Sequence, residues 1–452
     1  MVHPFRYVHE GKPYYLLWDV ESASLSVIDY AAYLFAKKRY ATLTPQEEEA
    51  YFLLSEEDRR ELSEEFDELE KDGSLNAEPI IKEFSKSADE VKALCLHICH
   101  DCNLACEYCF AGGGTYHTAR DYMSAEVGKK AIDFLIEHSG KRKNLEVDFF
   151  GGEPLMNMGP VKEIVGYARE QGEKFGKRFA FTMTTNCLLL DDKTVEYLNE
   201  EMENVVLSID GRKTVHNAVR HTRNGKDAYD VILQNALKMR KARGDKKYYV
   251  RGTFTAKNLD FSEDILALND AGFDQISVEP VVLPEEHPLA LKKEHLDKIL
   301  AEYDRFTEEY ITRRKDGRWF NFFHFMLDLE HGPCPNKRLT GCGAGTEYLA
   351  VTPTGDIYPC HQFAGLPDFL IGNVFSGIQK QSIRDTFAKN CVLAKEHCKK
   401  CFAKYYCGGG CAANAYNFTG SIDGQYEMGC ELTKKRLELS LAVAALEKKG
   451  KN

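Results

Sequence analysis

The order of apolar and polar positions divides the chain into regions that predict different kinds of structure. Apolar and polar residues alternate over residues 5–29, around the turn signals GKP and SAS, which predicts two or three short antiparallel strands. Two helices are predicted next: residues 44–47 form a capping box with proline at the first helical position, and a second helix runs from Ser55 to Gly73. Residues 74–89 lose this periodicity and are expected to be a linker.

Between Val91 and Pro280 the pattern becomes a regular alternation of strand and helix. Amphipathic helical segments separate six β-rich runs, at 91–98, 145–150, 178–185, 204–210, 248–255 and 275–280. Such alternation predicts an α/β fold with parallel strands joined by right-handed helical crossovers. Six units are too few for a closed eight-unit barrel, so we expect an open partial barrel or a doubly wound sheet. In both, ligands bind at the carboxyl ends of the strands.

The last third of the chain is helical at first and then rich in cysteine and glycine. A region that is poor in long periodic elements but dense in cysteine is typical of a small domain held together by metal. The patterns together predict a small module (1–75), a linker (76–90), the α/β unit (91–285), a helical bridge (286–333), a cysteine-rich domain (334–431) and a terminal helix (432–452).

Charge and cysteine content narrow the classes of function. The net charge of −11 argues against a nucleic-acid surface along the whole chain, and no segment has the composition of a membrane span or a secretion signal. We therefore expect a cytoplasmic protein without a nucleic-acid or membrane partner. In that reducing compartment 15 cysteines favour metal ligation, and they cluster: five lie between Cys95 and Cys109, nine between Cys334 and Cys430.

The first cluster follows the first strand of the α/β unit. Cys102, Cys106 and Cys109 are separated by three and then two residues, so one tight loop can present three thiolates to an iron–sulfur cluster. A [4Fe-4S] cluster normally has four protein thiolates, so three would leave one iron open to another ligand. Cys95 and Cys99 form the same spacing with Cys102, but Cys95 lies inside the apolar strand. A zinc loop remains the alternative.

With Tyr108 before its last cysteine, this loop resembles that of the radical S-adenosylmethionine (SAM) enzymes, which have a partial (β/α)6 barrel. The resemblance implies that the cluster binds SAM, whose reductive cleavage gives a hydrogen-abstracting 5′-deoxyadenosyl radical. It also implies SAM contacts from the loop aromatics, the GGEP turn and later strand ends: Tyr108, Phe110, Gly151, Gly152, Glu153, Asn186, Ser208 and Arg220. Asp210, at the end of the fourth strand, is the candidate catalytic base.

The second cluster of cysteines has a longer and more specific order. Its pattern is Cys342-x12-Gly355-x4-Cys360, then Cys398-x2-Cys401-x5-Cys407-x3-Cys411, then Cys430. It resembles the SPASM domain of radical SAM peptide-modifying enzymes, although zinc is again the alternative. The resemblance implies two auxiliary [4Fe-4S] clusters, three in all: a proximal cluster held by Cys342, Cys360 and Cys411, and a distal cluster held by Cys398, Cys401, Cys407 and Cys430. Cys334 is placed where some relatives supply the fourth proximal thiolate, and without it one iron would stay open to a substrate thiolate.

The N-terminal module suggests the substrate. Strands followed by helices resemble the winged-helix-like PqqD recognition element, which implies capture of a leader peptide as an added strand; an ordinary packing domain is the alternative. The whole chain is most similar to thioether-forming maturases of cysteine-rich (SCIFF or sactipeptide-type) peptides. That resemblance implies a carbon–sulfur crosslink in a precursor peptide bound through its leader, and an external low-potential electron donor.

Two other functions remain open at this stage. An anaerobic sulfatase maturase would use the same clusters to form formylglycine and would need no leader peptide. Deleting residues 1–75 should then spare its activity but abolish thioether formation. A zinc-stabilised binding protein without redox chemistry is the second alternative.

Overall fold

The computed structural model describes residues 1–79, 81–329 and 335–449. Its N-terminal module is a three-stranded antiparallel sheet followed by three helices. The strands, in sheet order, are β1 (Val2–His9), β2 (Lys12–Asp19) and β3 (Ser24–Ile28), and the helices are α1 (Tyr30–Tyr40), α2 (Pro45–Phe52) and α3 (Glu56–Lys71). The strands and the two capped helices are confirmed. Helix α1 was not predicted, because its buried residues 33–36 are consecutive and show no helical spacing.

The α/β unit is a parallel sheet of six strands whose order follows the chain. The strands are β4 (Ala93–Cys99), β5 (Asn144–Gly151), β6 (Arg178–Thr185), β7 (Asn204–Ser208), β8 (Tyr248–Phe254) and β9 (Gln275–Pro280). The helices between them are α4 (Ala125–His138), α5 (Met158–Phe175), α6 (Asp192–Glu201), α7 (Lys213–Val219), α8 (Tyr229–Arg243) and α9 (Phe261–Asp270). A doubly wound sheet reverses its strand order at a switch point. This sheet does not, so the predicted partial barrel is the correct alternative.

The cysteine-rich region extends the barrel sheet instead of forming a separate one. After α10 (Leu296–Lys315), the short edge strand β10 (Asn321–Phe322) pairs with β9, and after α11 (Pro335–Thr340), β11 (Tyr348–Val351) runs parallel to β4. The remaining strands are β12 (Asp356–Tyr358), β13 (Gly372–Asn373) and β14 (Gly377–Ile378). The remaining helices are α12 (Gln381–Lys389), α13 (Glu396–Lys399), α14 (Lys404–Cys407), α15 (Ala412–Thr419) and α16 (Glu427–Lys449).

The apolar core is continuous across these regions. Leu16 and Trp18 of the N-terminal sheet belong to the same buried cluster as the barrel strands and the terminal helix. The N-terminal module is therefore docked on the rest of the protein, although the sequence suggested only a linker after it. None of the helices in the described residues is both long enough and apolar enough to span a bilayer.

Candidate active site and cluster ligands

A cavity of about 330 Å³ opens at the carboxyl ends of the barrel strands. All of the residues predicted to hold the first cluster or SAM line it. They are Cys102, Cys106 and Cys109, with Tyr108, Phe110, Gly151, Gly152, Glu153, Asn186, Ser208 and Arg220. The strand-end argument thus brought together residues that are more than 100 positions apart in the chain.

The three cysteines after β4 form one set of interacting thiols. Burial raises the pKa of Cys102 to about 12, and the charges of Glu153, Cys106 and Cys109 contribute to the rise. Burial likewise raises the pKa of Cys106 to about 11. Such thiols stay protonated at neutral pH unless a cation binds them, as iron does when it takes up thiolates. The backbone N–H of Leu104 lies 3.5 Å from the Cys102 sulfur and donates to it. This donor set fits an iron–sulfur cluster.

The glycines of the GGEP turn are required by close contact with the thiol loop. A Cβ atom on Gly152 would lie 1.9 Å from the carbonyl oxygen of Asp101. Gly151 has φ of +123°, and a Cβ there would lie 2.4 Å from the carbonyl oxygen of Cys99. Gly152 N–H also donates to that Cys99 oxygen at 2.9 Å. The turn and the thiol loop therefore form one rigid rim of the cavity.

Arg220 carries donors without hydrogen-bond partners beside the thiol loop. It is 9% exposed, yet its Nε and Nη1 groups have no hydrogen-bond partner. Its guanidinium lies 5.7 Å from the ring centre of Tyr108, and Nε is 3.7 Å from Asp210 Oδ2. Nε is thus in an ion pair with Asp210, whereas Nη1 is a buried donor without an acceptor, which is costly unless a ligand such as an anion accepts from it. The carboxylate of SAM has the right charge and acceptor geometry, and the site fits it.

Asp210 occupies the wall behind the cavity and does not line it. Its carboxylate is fully buried, accepts a hydrogen bond from Tyr108 Oη at 2.5 Å and accepts another from Thr253 N–H at 3.0 Å. A catalytic base must reach the substrate. In this structure Asp210 contacts Tyr108 and not the cavity, and its role as a catalytic base stays a prediction.

Glu153 ties two strand ends together. Its Oε1 accepts from Thr185 Oγ1 at 2.8 Å and from Leu155 N–H at 3.1 Å, and its Oε2 accepts from Asn186 N–H at 2.7 Å. Burial raises the pKa of Glu153 to about 7. The Asn186 amide in turn donates to Asn103 Oδ1, inside the thiol loop, at 2.7 Å. These two residues link the ends of β5 and β6 to the loop.

The downstream cysteines separate into two sets of neighbours. Burial raises the pKa of Cys398 to about 11, and the charges of three neighbouring cysteines contribute to the rise. The first set is therefore Cys398, Cys401, Cys407 and Cys430. Burial also raises the pKa of Cys360, to which the charges of Cys342 and Cys411 add. In the described part of the chain, no three such side chains are close enough to share one metal ion. Cys334 lies outside the described residues.

Other cysteines are buried outside these sets. The Cys99 thiol donates to the carbonyl oxygens of Asp101 and Glu153 at 3.2 and 3.1 Å. Cys187 is buried, and its thiol lies 3.7 Å from the Thr185 carbonyl oxygen. Cys391 is buried as well.

The opposite side of the cavity contains residues that the sequence analysis missed. Arg251 and Glu279 project from β8 and β9, and His361 follows Cys360 in the cysteine-rich domain. The Glu279 carboxylate is 3.2 Å from His324 Nε2 and accepts from Ser277 Oγ at 3.1 Å. Burial raises the pKa of Glu279, but the nearby His324 and the guanidinium charges of Arg436 and Arg251 outweigh it and hold this pKa far below the usual range. The available signal was the one charged residue in each of these two strands, Arg251 in β8 and Glu279 in β9.

Comparison with known families identifies this arrangement. Residues 96–260, which contain the thiol loop and the strand ends around the cavity, match the Radical SAM superfamily. The barrel has the radical SAM fold. The superfamily uses SAM and a [4Fe-4S] cluster, so the match favours iron–sulfur ligation over zinc at Cys102, Cys106 and Cys109.

Relatives of this chain include maturases that modify peptides or proteins. It is 26% identical over 328 residues to a cysteine-type anaerobic sulfatase-maturating enzyme of Clostridium perfringens, covering 69% of this chain and 85% of the relative. The solved structure "Native anSMEcpe with bound AdoMet and Cp18Cys peptide" has a TM-score of 0.65 at 20% identity, covering 80% of this chain and 99% of that one. Streptococcus suis SuiB bound to S-adenosylmethionine has a TM-score of 0.53 at 18% identity, covering 92% and 96%. These structures share the fold of this chain.

Proposed function

We propose that this radical SAM enzyme installs thioether crosslinks, from cysteine sulfur to carbon, in a ribosomally synthesised cysteine-rich precursor peptide. The observation that carries the proposal is the N-terminal sheet. It belongs to the same chain as the SAM cavity and the two downstream sets of thiols, and it offers a free strand edge. The SuiB structure covers 92% of this chain, and another solved structure contains SuiB bound to the precursor peptide SuiA. This similarity also supports the proposal.

We place peptide capture at β3, one of the two edge strands of this sheet, the other being β1. Strand β2 pairs with one side of β3, and within the described residues no strand pairs with the other. Val27 in β3 and Tyr30 just beyond it are 40% and 43% exposed. A leader peptide that adds as a fourth strand would gain backbone hydrogen bonds, with side-chain selectivity from such exposed residues.

Each cluster and SAM have residues that would hold them. When bound, SAM and its cluster would supply the 5′-deoxyadenosyl radical that takes a hydrogen atom from the acceptor carbon. Formation of the carbon–sulfur bond would then release the thiol proton and one electron, and an auxiliary cluster would accept that electron. The thiolates of Cys102, Cys106 and Cys109 would bind the first cluster, and Arg220 would hold the SAM carboxylate. The downstream sets of three and four thiols would bind the proximal and distal auxiliary clusters.

Arg251 and Glu279 would face the core peptide. Glu279 stays ionised because of its cationic neighbours, so it accepts hydrogen bonds from peptide N–H or thiol groups. Its pKa is far below that of a thiol, so it orients the reacting cysteine without keeping the proton.

Formylglycine formation is the second candidate, because the sulfatase-maturase fold superimposes better than SuiB, with TM-scores of 0.65 and 0.53. The two products differ in composition. Forming a thioether removes two hydrogens from the peptide and leaves one thiol fewer to alkylate, but the peptide keeps its sulfur. Forming formylglycine from cysteine removes the sulfur and creates an aldehyde. The test is anaerobic incubation of the reconstituted enzyme with cysteine-rich precursor peptides and with sulfatase-derived peptides, read by mass spectrometry. Formylglycine as the sole product would overturn the proposal.

Deletion of residues 1–75 is no longer a clean test of leader dependence, because it would expose the core around Trp18. A lysine on the free edge is better, since charged edge residues oppose strand addition. We expect Val27→Lys to reduce modification of a leader-bearing peptide at least about tenfold while SAM cleavage without peptide is unchanged. Leu53→Lys is the matched control, because Leu53 is 82% exposed in the same module and away from the edge. Equal activity of the two variants would exclude capture at β3.

A further inference from the structure

The N-terminal module contacts the segment that joins two of the proposed distal-cluster ligands. This segment, residues 401–407, is called the distal loop below. It begins at Cys401, contains the short helix α14 and ends at Cys407. Four of the five residues between these cysteines contact strands β1 and β2 or the turn that follows them.

Two of the contacts are between aromatic rings. The ring of His3 in β1 stacks on Phe402, with centroids 3.5 Å apart and planes 5° from parallel. Trp18 in β2 is fully buried, and its ring meets the ring of Tyr406 edge-on at 5.9 Å. These two rings of the distal loop therefore have their partners in the N-terminal sheet.

The other two contacts converge on one carboxylate. Glu21, in the turn after β2, forms an ion pair with Lys404 and accepts a hydrogen bond from Tyr405 Oη at 2.7 Å. The side chains of Glu21 and Lys404 are only 3% and 6% exposed. A buried charge that loses its partner is strongly destabilising. Loss of Glu21 would therefore destabilise the distal loop in this conformation.

The loop also has no free space at its far end. A Cβ atom on Gly408, the residue after Cys407, would lie 2.8 Å from the Cα atom of Gly341. Gly341 directly precedes Cys342 of the proximal set. The distal loop is thus held between the N-terminal module on one side and the proximal-cluster loop on the other.

We propose that the N-terminal module has a second task besides peptide capture: it positions the distal loop, so that the distal cluster binds fully only while Glu21 is paired with Lys404. The inference rests on the proposed distal cluster, because it concerns how that site is held. Glu21 acts here as a positioning residue, through Lys404 and Tyr405.

The experiment compares full-length variants reconstituted anaerobically with iron and sulfide. Glu21→Gln and Lys404→Met each leave the partner unpaired. Glu48→Gln is the control, because Glu48 pairs with Lys38 on the surface of the same module, where both side chains are about half exposed. Glu21→Lys combined with Lys404→Glu restores the pair in reverse. The readouts are iron per chain, the electron paramagnetic resonance spectrum after reduction, and the reduction potentials of the clusters.

We expect Glu21→Gln and Lys404→Met to lose about one third of the iron, or to shift the potential of one cluster only. The spectral component that changes should be the one that Cys430→Ala removes, and the reversed pair should restore it. The inference would be overturned if Glu21→Gln had the iron content, spectrum and potentials of wild type. It would also be overturned if this variant lost all clusters in parallel and had a lower melting temperature. Wild-type protein with about four irons would instead refute the proposed auxiliary clusters.

Discussion

The unpaired donor of Arg220 gives the sharpest quantitative prediction for the SAM site. Arg220→Met removes Nη1, the guanidinium donor that lacks both a hydrogen-bond partner and an ion-pair contact with Asp210. A hydrogen bond to a charged group contributes about 1.5–3 kcal/mol, so its loss should raise the Kd of SAM by roughly 10- to 100-fold. The buried Asp210 would meet the loss of the guanidinium by becoming protonated, which allows the variant to fold.

The assay is anaerobic titration of SAM into reconstituted protein with its iron content matched to wild type. Tyr108→Phe is the control, because it removes the hydrogen bond to Asp210 and leaves both the aromatic ring and the guanidinium. We expect the Kd of this control to change by only about threefold. An Arg220→Met protein with full iron content and a Kd within threefold of wild type would show that Arg220 does not hold the ligand carboxylate.

Three further predictions address the clusters, the substrate and the pH dependence of stability. Replacing Cys102, Cys106 and Cys109 with alanine should abolish 5′-deoxyadenosine formation and remove about four irons per chain, measured by chromatography and iron assay; continued formation would contradict the ligand assignment. Glu279→Gln should lower crosslinking about tenfold or more while 5′-deoxyadenosine still forms, and equal losses of both would argue against a role in orienting the peptide. Burial raises the pKa of Asp148 to about 6, so the folded state holds its proton more tightly than the unfolded state and stability falls as pH rises from about 4 to 6. Asp148→Asn should therefore gain about 2–3 kcal/mol relative to wild type between pH 4 and 7 in urea unfolding, and a constant difference would refute the shift.

The sequence predicts the SAM side of the cavity because backbone geometry determines that side. Gly151 and Gly152 must be glycine where two backbones approach, and the spacing of Cys102, Cys106 and Cys109 reflects one loop. Parallel strands then bring Asn186, Ser208 and Arg220 to the same edge, so local motifs were sufficient.

The other side of the cavity and the docking of the N-terminal module depend on contacts between distant parts of the chain. Glu279 is an active-site candidate only because Arg436 and His324, from other elements, pack behind it. Asp210 ends a strand as a catalytic residue would, and only the position of Tyr108 shows that it faces the wall. The docking of the N-terminal module rests on pairs such as Glu21 with Lys404, which no periodic pattern reveals.

The pairing of β4 with β11 has a consequence for how the protein is made. Residues 93–96 and 348–351 form one parallel ladder although they are about 250 residues apart. One edge of the first barrel strand, β4, therefore stays unpaired until most of the chain has left the ribosome. Such non-local pairing is also slow. An exposed edge is a template for aggregation. A fragment that ends after β9 should accordingly be insoluble, so the barrel and the cysteine-rich region fold as one unit.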